Sequence, residues 1–218
     1  VIILDDAFQH RSIKAGLNIL LTDYNNLFTR DFYLPTGDLR DMKSSYKRAE
    51  IFVVTKCKQD LNESDRQKII REIIPDSTQH IFFTTIEYGT PYHIINNKEA
   101  DFTDKTEVLL VTGIANPKPL KKMLEAKSNT YHLLQYADHH IFTIDDLKEI
   151  KNRFNEIDSP DKIILTTEKD AVRLIKFENE IRDVPLYVIP VAHRFLFNED
   201  IAFEKLITDF ILNFKQKL

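Results

Sequence analysis

Two adjacent carboxylates, Asp5 and Asp6, end the apolar run Val1-Ile2-Ile3-Leu4 and lead into Ala7-Phe8-Gln9-His10-Arg11. An unbroken apolar run rich in β-branched residues predicts a strand buried on both faces, as in the middle of a parallel α/β sheet. Sheets of that kind present their chemistry at the carboxyl ends of the strands. A carboxylate there can help hold the Mg²⁺ that bridges nucleotide phosphates, and this hard ion needs only one or two protein oxygens. Asp-Asp after a strand is by itself more often a turn, because Asp bonds to nearby backbone. Gln9, His10 and Arg11 shift that balance. They crowd polar groups beside the carboxylates, where they could bond phosphate oxygens or brace Asp5 and Asp6.

Four further polar blocks follow along the chain: Leu34-Pro35-Thr36-Gly37-Asp38-Leu39-Arg40, Thr112-Gly113-Ile114-Ala115-Asn116-Pro117, Asp138-His139-His140 and Thr166-Thr167-Glu168-Lys169-Asp170. With Asp5-Asp6-Ala7-Phe8-Gln9-His10-Arg11, which is similar to a DDGFQHR signature, they make an ordered set that resembles the tetraacyldisaccharide 4′-kinases, the lipid A 4′-kinases of Gram-negative bacteria. Several blocks in order are far more specific than any one of them. The resemblance spans about residues 1 to 175.

Composition fits that expectation without demanding it. The chain has 218 residues, 43% hydrophobic and 29% charged, as in ordinary globular proteins. A net charge of −4 offers no footprint for a polyanion, so no nucleic-acid partner is expected. The one cysteine, Cys57, excludes an internal disulfide and reads as a small packed residue. No apolar run approaches the roughly 18 residues of a membrane-spanning helix.

Strands are expected at Leu17 to Leu21, Ile51 to Thr55, Ile81 to Thr85, Val108 to Val111, Tyr131 to Leu134, Ile163 to Leu165 and Leu186 to Val191. Helices should alternate with them: one from Asp38, one capped by Asn62, one opened by Asn116-Pro117, and others capped by Thr143 and Thr167. In the last helix Phe203, Leu206, Ile207, Phe210, Ile211 and Phe214 form a wide core-facing stripe. Such alternation is the α/β pattern. The expected architecture is a partial P-loop NTPase-like, mostly parallel sheet followed by a smaller C-terminal α/β domain. The boundaries read as 1–86 for the kinase core, 87–105 for a linker and 106–218 for the C-terminal domain.

The resemblance implies a site. Asp5, Asp6, Gln9 and His10 would belong to the nucleotide site, with Asp5 and Asp6 as candidate metal ligands. Asp41, where the family carries glutamate, is the third candidate ligand. Ala7 stands where the family usually has glycine, which matters if that backbone needs φ > 0. Arg40 would bind phosphate, since guanidinium grips phosphate with two parallel bonds; otherwise it is a surface partner of Asp38 or Asp41. His139 would assist a catalytic aspartate with Asp138 steering its ring, and His140 reads as structural. Lys169 is a solvated lysine unless it meets phosphate. Thr55-Lys56 only weakly matches a base-binding loop, because Lys58 replaces the needed aspartate. A zinc site is not supported, for the histidines lack ligand spacing.

The implied activity is ATP- and Mg²⁺-dependent phosphorylation of an acylated glucosamine disaccharide lipid. Its implied place is the cytoplasmic face of the bacterial inner membrane, attached peripherally. No G-x-x-x-x-G-K-[ST] loop occurs, and the four glycines are not spaced to cradle phosphate. In the family that loop, the general-base aspartate and a membrane-contacting helix precede the signature. The chain is therefore expected to be a C-terminal portion, inactive as a kinase by itself. The competing reading is a non-catalytic nucleotide- or sugar-binding module derived from a kinase.

Overall fold

The computed structural model describes residues 1–10, 12–128 and 130–214, so Arg11 of the signature lies outside the described residues. Strands β1 (Ile19–Asp23) and β2 (Ile51–Cys57) are followed by α1 (Glu63–Ile73), β3 (His80–Tyr88) and the short β4 (Tyr92–His93). Next come β5 (Glu107–Thr112), α2 (Lys118–Lys127), β6 (Tyr131–Gln135), α3 (Ile144–Asn155) and β7 (Lys162–Thr167). Helices α4 (Glu168–Leu174) and α5 (Glu178–Ile181), strands β8 (Leu186–Ile189) and β9 (Val191–Phe195), and α6 (Asp200–Phe214) complete the order. The chain divides into two compact units, the first comprising residues 1–87 and those from His193 onward, the second comprising Tyr88–Ala192.

The first unit carries a sheet of order β1-β2-β3-β9, with β1, β2 and β3 parallel. Why β2 lacks alternation is plain from its neighbours. Phe52 and Val54 pack with Ile69 and Ile73 of α1 on one face. Ile51, Val53 and Phe82 meet Phe203, Leu206 and Ile207 of α6 on the other. A strand covered on both sides has no polar face to present. Helix α1 begins where Asn62 accepts the Asp65 N–H (2.9 Å) and ends at Ile74 in the left-handed region, φ 54°. Helix α6 closes over Gly16, where a Cβ would lie 2.8 Å from the Phe210 ring.

Two expectations fail in this unit. The opening strand does not form: residues 1–4 hold no strand, and Val1, Ile2 and Ile3 are almost wholly exposed. A strand needs a hydrogen-bonded neighbour, and these residues pair with none of the sheet's members. Nor is there a helix from Asp38. A 3₁₀ helix spans only Lys43–Arg48, so Arg40 lies in a loop rather than at a helix start. Leu39 instead bridges back to Tyr33, which holds the segment before Lys43 in a turn-rich path.

The second unit is a five-stranded sheet of order β4-β8-β7-β5-β6, with only β4 antiparallel. From β5 the chain steps to β6 on one side, then crosses back to β7 on the other. That reversal is the switch point where α/β sheets gather their functional loops. Leu109, Val111 and Ile164 bury one face, and Val108, Leu110 and Leu165 the other. The segment 87–105, expected as a linker, supplies β4 and packs Ile94 into this unit's core. The last helix, expected in the C-terminal domain, belongs to the first unit because its aromatic stripe covers β2 and β3 there.

Candidate functional site

In the first unit, the loop after the opening residues turns at Asp5-Asp6, and Asp6 takes the left-handed conformation, φ 48°. Asp tolerates that region better than most residues because its short side chain bonds locally. Ala7 is not among the positive-φ residues, so the position where the family favours glycine carries no such strain here. Asp6, Phe8 and Gln9 line a cavity of about 310 Å³ together with Asp38, Leu39, Arg40, Asp41 and Lys43. Leu20, Phe28 and Met42 give it an apolar side. Asp6, Gln9, Arg40 and Asp41 are thus brought around one space. Asp5 and His10 are not part of its wall, and His10 Nδ1 lies 3.0 Å from the Ser12 hydroxyl.

One residue that sequence reasoning passed over ties the two loops together. Arg48 Nη2 donates to the Phe8 carbonyl (3.2 Å), its guanidinium lies 4.7 Å from the Phe8 ring centre, and it reaches Asp41 at 3.7 Å. Asp41 is otherwise occupied by its own loop: Oδ1 accepts the Met42 N–H (2.8 Å) and Oδ2 the Ser45 hydroxyl (2.6 Å). Among the described residues no three His, Cys, Asp or Glu side chains converge to hold a metal, so Asp5, Asp6 and Asp41 do not form a ready cage. Mg²⁺ does not need one, since phosphate and water complete its shell. Three carboxylates, Asp6, Asp38 and Asp41, line the cavity.

Lys56 donates to Asp23 Oδ2 (2.8 Å). Burial pushes the Asp23 carboxyl up, yet Lys56 and the Asn25 amide outweigh it and hold the group below its ordinary value. Lys56 thus serves a surface ion pair. Cys57 is buried and its thiol is pushed up to about 12, which makes it inert.

In the second unit three blocks that lie far apart in sequence meet at the carboxyl edge of neighbouring strands. Gly113 follows β5, Asp138 and His139 follow β6, and Thr167 ends β7. Asp170, fully buried at 0% exposure, joins them. Its Oδ2 accepts the Gly113 N–H (3.0 Å) and the Thr167 hydroxyl (2.7 Å), while Oδ1 accepts from Arg173 Nη1 (3.3 Å). Thr167 also caps α4, accepting the Asp170 N–H at 3.2 Å, as the spacing predicts. The sequence signal for this cap was clear; the second task of Asp170, accepting from Gly113 and Arg173, carried none.

Gly113 is needed for close approach. A Cβ there would sit 3.1 Å from the Ala137 carbonyl oxygen and 3.3 Å from both Asp170 Oδ1 and His140 Cβ. Its own carbonyl accepts the His139 N–H (3.2 Å). His139, at φ 59°, places its ring with Nδ1 3.1 Å from Arg173 Nη2 and Nε2 3.6 Å from Asp138 Oδ2. His140 turns the other way, stacked on Tyr136 (ring centres 4.5 Å apart) with Nε2 3.0 Å from Asp146 Oδ2. Asp146 is the acidic half of the box that caps α3 with Thr143. Lys169 is exposed.

Comparison with known proteins shows what the chain as a whole is similar to. The family model described as tetraacyldisaccharide-1-P 4′-kinase matches residues 1–211. A tetraacyldisaccharide 4′-kinase of Bacteroides thetaiotaomicron is 38% identical over 225 residues, covering 97% of this chain and 59% of that protein. One from Flavobacterium johnsoniae is 41% identical over 197 residues, covering 90% of this chain and 55% of that protein. The chain therefore spans less than two thirds of the length of these relatives. Among solved structures, LpxK from Aquifex aeolicus in complex with ATP shares the fold, with a TM-score of 0.62 at 21% identity, over 94% of this chain and 56% of that one. The chain belongs to the tetraacyldisaccharide-1-P 4′-kinase family.

Proposed function

We propose that this chain is part of an ATP-dependent kinase that phosphorylates the 4′-hydroxyl of a tetraacylated glucosamine disaccharide 1-phosphate. The observation that carries this reading is the shared cavity, where a carboxylate (Asp6), an amide (Gln9) and a guanidinium (Arg40) face one space with an apolar side. Phosphoryl transfer asks the protein mainly to position groups and offset charge. Arg40 would neutralise phosphate oxygens, and Gln9 would donate an amide N–H to them. Asp6 would supply an oxygen to Mg²⁺, with Asp5 beside it as support. The ion, when bound, draws charge from the phosphate oxygens. Asp41 fits a bracing role better, because both its oxygens already accept bonds within its own loop. In the second unit His139 would assist the base that takes the proton of the attacking hydroxyl, with Asp138 and Arg173 beside its ring.

The substrate would be an amphipathic lipid, which implies peripheral work at the cytoplasmic face of the inner membrane. No helix among the described residues is long and apolar enough to cross a membrane. The test is a phosphorylation assay of the full-length protein with Asp6→Ala, Arg40→Ala and His139→Ala. Each is expected to lower kcat/KM by about 10²-fold or more. Wild-type rates from all three would defeat the proposal. Nucleotide binding without turnover by the wild-type protein would favour a non-catalytic module instead.

A further inference from the structure

We propose that Arg173 is a positioning residue that grips the His139 ring at Nδ1 and so decides which nitrogen faces outward. The proposal rests on the functional reading above, in which His139 serves the reaction. A guanidinium has N–H donors and no acceptor, and it stays charged. Although the His139 side chain is 76% exposed, its Nδ1 lies 3.1 Å from Arg173 Nη2, a contact that is a hydrogen bond only when Nδ1 is bare and the proton of the neutral ring sits on Nε2. Nε2 is the atom turned toward Asp138.

Arg173 can act as a fixed clamp because it is itself held. It lies one helical turn from Asp170 on the same face of α4 and donates to that buried carboxylate, which in turn grips Gly113 and Thr167. The His139 backbone is pinned separately, its N–H facing the Gly113 carbonyl (3.2 Å) and Asp138 Oδ1 (3.0 Å). Among the described residues, Asp138 belongs to the same turn, Asp170 accepts from Arg173, and His140 meets Asp146 on α3. With backbone and Nδ1 both anchored, the ring offers a single N–H to whatever acceptor approaches, such as the carboxylate of a general base. Free rotation would scatter that donor over several directions.

The experiment compares the full-length wild-type protein with Arg173→Ala, Arg173→Lys, His139→Ala and the Arg173→Ala/His139→Ala pair. Arg173→Ala is expected to lower kcat about 10-fold with little change in KM for ATP. Arg173→Lys, which keeps a charged donor, should recover part of the loss and covers the case in which alanine loosens the helix. Removing Arg173 from the His139→Ala protein should change the rate by less than about 2-fold, because the clamp then has nothing to hold. Imidazole ¹⁵N shifts of the wild-type protein near about pH 8.5, where histidine is ordinarily neutral, should show a bare Nδ1. Equal losses in both backgrounds, or a protonated Nδ1, would overturn the proposal. A wild-type rate from His139→Ala would instead sink the functional reading, and the ring spectrum would still decide the contact.

Discussion

The two polar centres of this molecule are built on opposite plans. In the first unit the acidic turn, residues 5–10, has no strand beneath it and is fastened by Arg48, through one carbonyl and one ring, and by Phe8 packed on the core. In the second unit the groups hang from strand ends, and a fully buried carboxylate bonds to Thr167 and Arg173 of its own stretch and to Gly113 beyond β5. An exposed clamp has water as its competitor, whereas a buried one leaves its partners stranded when it is removed. The first plan suits a loop that must adapt to a ligand; the second fixes the strand ends and the start of α4, from which Arg173 reaches the exposed His139 ring.

That contrast can be broken most directly at Asp170. Asp170→Ala should destabilise the protein by about 3 kcal/mol, since Arg173 and the Gly113 N–H would lose a buried partner. Urea midpoints of both proteins measure it, and a loss under about 1 kcal/mol would show that the buried node is not special. Arg48→Ala should cost only about 1 kcal/mol, as expected for a half-exposed cation-π and ion-pair contact. Its mark should be local. Amide exchange in residues 5–10 should quicken while β2 stays protected, and equal quickening in both would erase the distinction between the two plans.

The smallest effect concerns acid. Burial raises the Asp146 carboxyl, but the bonds from His140 and the Thr143 backbone and hydroxyl outweigh it, so the group titrates below its ordinary value. A depressed carboxyl contributes stability that is fully present above the unfolded-state value, near about pH 4, and lost as pH falls through the folded one. Asp146→Asn should therefore lower stability at neutral pH by under about 1 kcal/mol and leave the gap between the two proteins closing below about pH 4. A constant gap down to about pH 2 would show that charge on Asp146 is irrelevant to the cap.

What could be read from the sequence follows the same division. Caps at Asn62, Thr143 and Thr167 were legible because donor and acceptor lie within one turn. Strands β2, β5 and β7 were legible because burial on both faces leaves an uninterrupted apolar run. Val1 to Leu4 reads identically, yet composition alone does not say whether a pairing neighbour exists. Arg40, Gln9 and Asp6 could be named from the resemblance, but their common cavity depends on the turn-rich path before Lys43, which has no periodic signature. Arg48 and Arg173 were invisible for a simpler reason. An arginine in a helix looks the same whether it meets solvent or a partner 34 residues away, as Arg173 does with His139.

The order of synthesis gives the interrupted first unit a further meaning. Its fourth strand, β9, and its covering helix, α6, emerge only after the whole segment Tyr88–Ala192 has been made. At ribosomal speeds of ~5–20 residues per second, Ile51, Val53 and Phe82 wait roughly 6–30 s for their cover. A nascent chain with a greasy, half-dressed β-sheet for that long is a natural client for chaperones, while the inserted second unit has all of its own strands in hand and can fold first.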